Sequence, residues 1–76
     1  MIFIMFLSNL KPGESATVLS ISPDNNISNR LRDLGLIKGT VVKCMLKSPL
    51  GDPSAYLIRG AVIALRSEDA SHIQIN

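Results

Sequence analysis

Apolar residues change their period partway along the chain. Ile27, Leu31 and Leu34 stand at i, i+4 and i+7, the spacing of one narrow apolar stripe on a helix, with Arg30, Arg32 and Asp33 off the stripe. From Thr40 to Ser48 the period drops to two: Val42, Cys44 and Leu46 fall on one face, and Val41, Lys43, Met45 and Lys47 on the other. The pattern predicts a short helix over about Asn26 to Leu34, then a strand that buries Val42, Cys44 and Leu46. Between them lies Gly35. At the left-handed position just past the helix, it makes Leu31 and Leu36 the pair whose side chains meet in a Schellman ending. Gly39 follows at a second tight turn, and the β-branched run Thr40-Val41-Val42 resists further helix.

The flanking segments read as strands and turns. Lys11-Pro12-Gly13-Glu14 places Pro at i+1 and Gly at i+2 of a turn, where a positive φ is wanted. Ser15 to Ile21 is small and β-branched, with Ala16 and Val18 on one face and Leu19 and Ile21 on the other. Ser22 to Asn26 breaks that strand and supplies caps for the helix. Pro49 to Pro53 forms a rigid loop joining two antiparallel strands. Tyr56 and Ile58 then share one face, with Ala55, Leu57 and Arg59 on the other; Gly60 turns the chain, and Ala61 to Leu65 returns. Near the end Ser67 is placed to cap a single turn carrying Glu68 and Asp69, before Ile73 and Ile75 alternate with His72 and Gln74 in a closing strand. Gly13, Gly35, Gly39 and Gly60 are therefore expected to be structural turn residues. The fold class is mainly β: a small SH3-like antiparallel barrel of about five strands with one short α-helix, closure removing the exposed edges of so small a sheet.

Length and composition narrow the picture. Residues 1–76 form a single domain, close to the size at which one core is just sufficient. Aromatics are 4% and Trp is absent, so the core must be close-packed aliphatics. Residues 1–6 form an apolar N-terminal extension with no basic flank, and the run stops at Ser8-Asn9, short of the ~20 residues of a membrane span. An added strand or a sticky arm is expected there. Net charge is +2, but Lys and Arg are scattered singly, so no nucleic-acid partner is expected. The one cysteine, Cys44, permits no internal disulfide and fits a reducing, cytoplasmic setting.

Candidate chemistry is sparse. His72 is the sole histidine, and Cys44 in register with Val42 reads as a small buried side chain, so a catalytic set of nucleophile, base and orienting group does not assemble. Glu68 and Asp69 with His72 are the weak candidates for a metal site, of mixed N/O character, against the simpler reading that both acids complement a helix N-terminus. No metal or cofactor is accordingly expected. Arg30, Arg32 and Lys38 make a solvated basic edge. The informative anomaly is apolar: Leu50 in a loop, Leu57 on an outward face and Leu36 at a turn, which with Lys38, Gly51 and Asp52 are the candidate partner-binding residues.

Several ordered segments together resemble the FeoA family. They are Leu7-Ser8-Asn9-Leu10-Lys11-Pro12-Gly13-Glu14, Leu31 through Gly39, Pro49-Leu50-Gly51-Asp52-Pro53, Arg59-Gly60 and Ile63-Ala64-Leu65-Arg66, spanning about Leu7 to Ile75. The resemblance implies an SH3-like barrel with no catalytic activity. It also implies a cytoplasmic accessory role in bacterial ferrous iron uptake, exercised by contact with the FeoB-type membrane transporter. Ferrous iron is then linked to function without a ligand set in this chain. Two other readings stand beside it: an SH3-like nucleic-acid-binding module, and a small iron-binding chaperone or regulatory domain of the kind found in DtxR-type repressors. The chain departs from the family pattern at residues 1–6 and at Ala55 and Leu57, which adds a homo-oligomer to the partners to be considered.

Overall fold

The computed structural model describes residues 5–21 and 25–76, with the side chains of residues 25–28 left aside. The expected caps at Ser22 to Asp24 and the stripe position Ile27 lie outside what is described. Strand β1 is Met5–Phe6, followed by a 3₁₀ turn at Leu7–Asn9, β2 at Ser15–Ile21, helix α1 at Asn25–Asp33, β3 at Val41–Lys47, β4 at Ser54–Ile58, β5 at Ala61–Leu65, a one-turn helix α2 at Ser67–Ala70 and β6 at Ile73–Ile75. All pairings are antiparallel and make one six-stranded sheet in the order β1-β6-β2-β3-β4-β5. The expected extra strand from the apolar extension is β1, whose Met5 and Phe6 stand opposite Ile75 and Gln74. Two expectations change. The fold holds a second short helix, and the sheet has six strands, with β1 and β5 at the ends of the strand order.

The inward side of the sheet is one aliphatic cluster. Leu7, Val18, Leu31, Leu36, Val42, Cys44, Tyr56, Ile58, Leu65, Ala70, Ile73 and Ile75 are buried in it, with Ile21, Leu34 and Ile63 packed against its margin. Every strand from β2 onwards supplies alternate residues to it, the period-two signal of a sheet with one covered face. The Tyr56 phenol and the Cys44 thiol lie inside, and burial, the largest cause in each case, pushes both pKa values up; a hydrogen bond from Ser54 to Tyr56 and the charge of Lys47 near Cys44 oppose the shift.

The corner between α1 and β3 has the predicted ending in full. Leu36 N–H donates to Leu31 O at 3.0 Å and Gly35 N–H to Arg32 O at 2.9 Å, the two hydrogen bonds of a Schellman motif, with Gly35 at φ 93°. Thr40 ties the corner off: its Oγ1 donates to Gly35 O at 3.1 Å and accepts from Ile37 N–H at 3.2 Å. Arg59 runs across the glycine, so that a Cβ at position 35 would stand 3.1 Å from Arg59 Cδ.

Alternation fails at two bulges. In β3 the register slips between Cys44 and Leu46, so Cys44 faces Tyr56 but Leu46 faces Ala55. Leu46, expected inside with Val42 and Cys44, is 63% exposed as a result. A second slip between Val18 and Ser20 in β2 leaves Leu19 exposed while Ile21 still reaches the core. Ser67 is also not the cap that the pattern predicts. It is the first helical residue of α2, and its N–H is satisfied by Asp52 Oδ1 at 2.7 Å, from the loop before β4.

Candidate interaction surface

Residues opposite one another in an antiparallel pair share a face, so the register lists assemble the outer side of the sheet. Ser15, Lys43, Leu57 and Val62 form one row across β2, β3, β4 and β5; Leu46, Ala55 and Ala64 form the next, and Thr17 with Val41 flanks the first. Across β3, β4 and β5 this face carries Val41, Leu46, Ala55, Leu57, Val62 and Ala64 with a single charge, Lys43. Val41 and Val62 are each 62% exposed. Aliphatic side chains gathered on one exposed sheet face are the kind of patch that a partner covers.

Leu50 lies in the loop joining β3 to β4, next to the end of the strands where Leu46 pairs with Ala55. Ser48 to Gly51 is a tight turn closed by Gly51 N–H donating to Ser48 O at 2.8 Å, with Pro49 at its second position and Leu50 at its third. The tip leaves Leu50 92% exposed. Below it, the bond from Ser67 N–H to Asp52 Oδ1 anchors the base of the loop to α2. Asp52 therefore holds the loop in place as well as lying beside its tip.

The candidate residues do not form one group. Leu50 and Gly51 share the exposed tip, Asp52 its base, and half-buried Leu57 the outer face. Lys38 is exposed in the separate turn that Thr40 N–H closes on Ile37 O at 3.0 Å. Leu36 is 0% exposed and belongs to the core, because the Schellman ending folds it back onto Leu31; it is withdrawn from the surface set.

The metal candidates part company in a similar way. The Asp69 carboxylate is largely buried and takes the guanidinium of Arg30 as its ion-pair partner across the gap between α1 and α2. Glu68 is exposed, and His72 lies in the turn before β6, where its N–H donates to Asp69 O at 3.1 Å. Sequence reasoning missed the Arg30–Asp69 pair because the residues are 39 positions apart and neither has a local signal of its partner. An open cleft of about 380 Å³ lies beside the pair, lined by Arg30, Leu34, Ala64, Leu65, Arg66, Glu68 and Asp69.

A six-stranded antiparallel sheet over one aliphatic cluster makes this a small, mainly β domain. The FeoA domain family matches residues 5–76, and the chain belongs to that family. It is similar to the FeoA-like protein of Clostridium acetobutylicum, at 28% identity and a TM-score of 0.91, with 100% of this chain and 88% of that one covered. It is also similar to the zinc complex of FeoA from Stenotrophomonas maltophilia, described as a prokaryotic SH3 domain protein, at 33% identity and a TM-score of 0.83 over 95% of this chain and 89% of that one. A third relative is the Fe(2+) transport protein A/Fe(2+) transporter FeoB fusion protein of Porphyromonas gingivalis, 30% identical over 71 residues; they make up 93% of this chain and 8% of the fusion protein's length.

Proposed function

We propose that this protein is a cytoplasmic accessory of bacterial ferrous iron uptake that works by docking on the cytoplasmic part of a FeoB-type transporter. The observation that carries this reading is the Porphyromonas gingivalis fusion, in which a segment related to this chain is covalently joined to the transporter. Joining two proteins in one chain raises the effective concentration of one at the other, which is useful where the pair works in contact. The apolar outer face of β3, β4 and β5, with Leu50 at its end, supplies a surface for such contact. Catalysis has no part in the proposal, and ferrous iron enters it as the transporter's cargo. Among the described residues no helix is long and apolar enough to cross a membrane, which agrees with a partner that provides the membrane portion.

The test is co-purification of this protein, tagged, with a FeoB-type transporter produced in the same cells. Capture of the transporter by the parent, and its loss with Leu50→Asp and Leu57→Asp, is the expected result. Failure of the parent to capture it overturns the function, whereas capture by folded double variants overturns the placement of the surface and passes the role to the Arg30, Arg32 and Lys38 edge. Sedimentation separates a third outcome: if the substitutions change only self-association, the face is a contact between copies of this chain.

A further inference from the structure

The loop that carries Leu50 is open at its tip but tied at both stems. The first stem is the end of β3, where Lys47 Nζ donates to Ser8 O at 3.0 Å, in the 3₁₀ turn 39 positions earlier. The second is the approach to β4, where Asp52 Oδ1 accepts from Ser67 N–H, the first residue of α2, at 2.7 Å. Strand register accounts for this second tie. Ser54 stands opposite Leu65, and the same register carried two residues further sets Asp52 opposite Ser67. Pro53, between Asp52 and Ser54, has no N–H with which to lengthen the ladder, so the Asp52 carboxylate makes the link instead.

Both ties end on elements that are themselves fixed. Leu7 of the 3₁₀ turn and Ala70 of α2 are buried in the core cluster, the two elements lie against each other, and Arg30 pairs with Asp69 of α2. Between the stems the hydrogen bonds are local, from Gly51 N–H to Ser48 O at 2.8 Å and from Leu50 N–H to Ser48 Oγ at 3.4 Å. Leu50 itself, 92% exposed, has no packing that holds it in one place. A loop set by its stems loses less conformational entropy when a partner takes hold of its tip than a loop that must be ordered on binding. We propose that Lys47 and Asp52 are positioning residues for partner binding, which act through Leu50 by holding both stems of its loop to the 3₁₀ turn and α2. The proposal rests on the reading that Leu50 meets a partner, and it gives Asp52 a part in binding that needs no contact with that partner.

Order in the loop is read first, on the full chain alone, from NMR relaxation of the Leu50 and Gly51 amides. Asp52→Ala, and Lys47→Met, which keeps an unbranched stem without the donor, are each expected to lower the order parameters there by about 0.1 or more, against about 0.85 for rigid backbone. Ser67→Pro deletes the donor from the other side. Proline suits the first position of a helix, and Arg66 before it is already extended at φ −76° and ψ 152°, so this variant is expected to fold and to repeat the effect of Asp52→Ala. Affinity for the FeoB-type transporter is expected to fall about three- to tenfold with Asp52→Ala or Lys47→Met, and Asp52→Asn, which retains an Oδ1 acceptor, to recover most of that loss. In a Leu50→Ala background the same substitutions are expected to have little further effect, because residues that act through Leu50 have nothing left to position. Unchanged loop order in all three variants overturns the proposal, whatever the partner does. Effects that add in full to that of Leu50→Ala overturn it in favour of direct contact by Lys47 and Asp52. Loss of loop order in the variants, with no binding of the transporter by the parent, upholds the positioning of Leu50 and removes the transporter reading alone.

Discussion

Leu36 and Leu50 are the same residue in comparable settings, each next to a glycine in a tight connection, yet one is fully buried and the other is 92% exposed. The difference lies in what each turn is bonded to. Around Leu36 the chain is held by the two Schellman bonds, by Thr40 Oγ1 on both sides and by contact with the core residue Leu31. Around Leu50 the turn is held by Gly51 N–H on Ser48 O, by a long bond from Leu50 N–H to Ser48 Oγ at 3.4 Å and by the anchor at Asp52, and none of these brings the tip back over apolar surface. An apolar residue at a turn is thus a core element where a helix ending folds it inward, and a surface element where a hairpin loop projects it.

The sharpest way to break this comparison is to truncate both leucines. Leu36→Ala is expected to lower stability by about 2–5 kcal/mol through the cavity it leaves, and Leu50→Ala to stay within about 0.5 kcal/mol. Chemical denaturation measures both, and equal effects would dissolve the distinction. Charging the exposed region acts on binding: Leu50→Asp and Leu57→Asp are each expected to weaken transporter association by about 1–4 kcal/mol, read by titration, with the fold retained. Gly35→Val tests the corner's backbone. A β-branched residue at φ 93° that also presses on Arg59 is expected to lower stability by about 1–3 kcal/mol, and an unchanged melting temperature would argue against the left-handed requirement. Arg30→Ala leaves the Asp69 carboxylate without its guanidinium and is expected to cost about 0.5–1.5 kcal/mol in the same assay.

A smaller effect should appear at high pH. Cys44 and Tyr56 have pKa values raised above their ordinary 9.0 and 10.0, so the unfolded chain deprotonates first. Their contribution is complete below pH 9 and declines as pH climbs through 9 and past 10. Denaturation midpoints at pH 8 and pH 10.5 check this, and Cys44→Ala isolates the phenol.

Much of this was legible in the sequence where the signal is local. The helix over about Asn26 to Leu34 is found at Asn25–Asp33, and Gly35, Leu31 and Leu36 make the predicted ending, because cap chemistry is written within six residues. The bulges were not legible. Nothing in Cys44-Met45-Leu46 announces a slip, and one slipped residue reverses the facing of those after it, sending Leu46 to the outer surface. For the surface itself, Leu50 and Leu57 could be singled out as apolar residues outside the buried alternation. Its extent could not, since Val41, Leu46, Val62 and Ala64 become neighbours only through pairing between strands. Arg30 with Asp69 and Asp52 with Ser67 were hidden for the same reason.

The place of β6 in the sheet bears on how the chain reaches its native state. Three residues, Ile73–Ile75, pair with β1 on one side and β2 on the other, and Gln74 meets Ser20 across a separation of 54 positions. The β3-β4-β5 meander closes through short loops, whereas β6 must bridge almost the whole chain, which places its docking late in folding. Until it docks, β1 and the adjoining side of β2 both stand open to strands of other molecules. A three-residue strand buried between two neighbours thus sets the interval during which the newly made chain is exposed to mispairing, and one seating event ends that exposure for both neighbours.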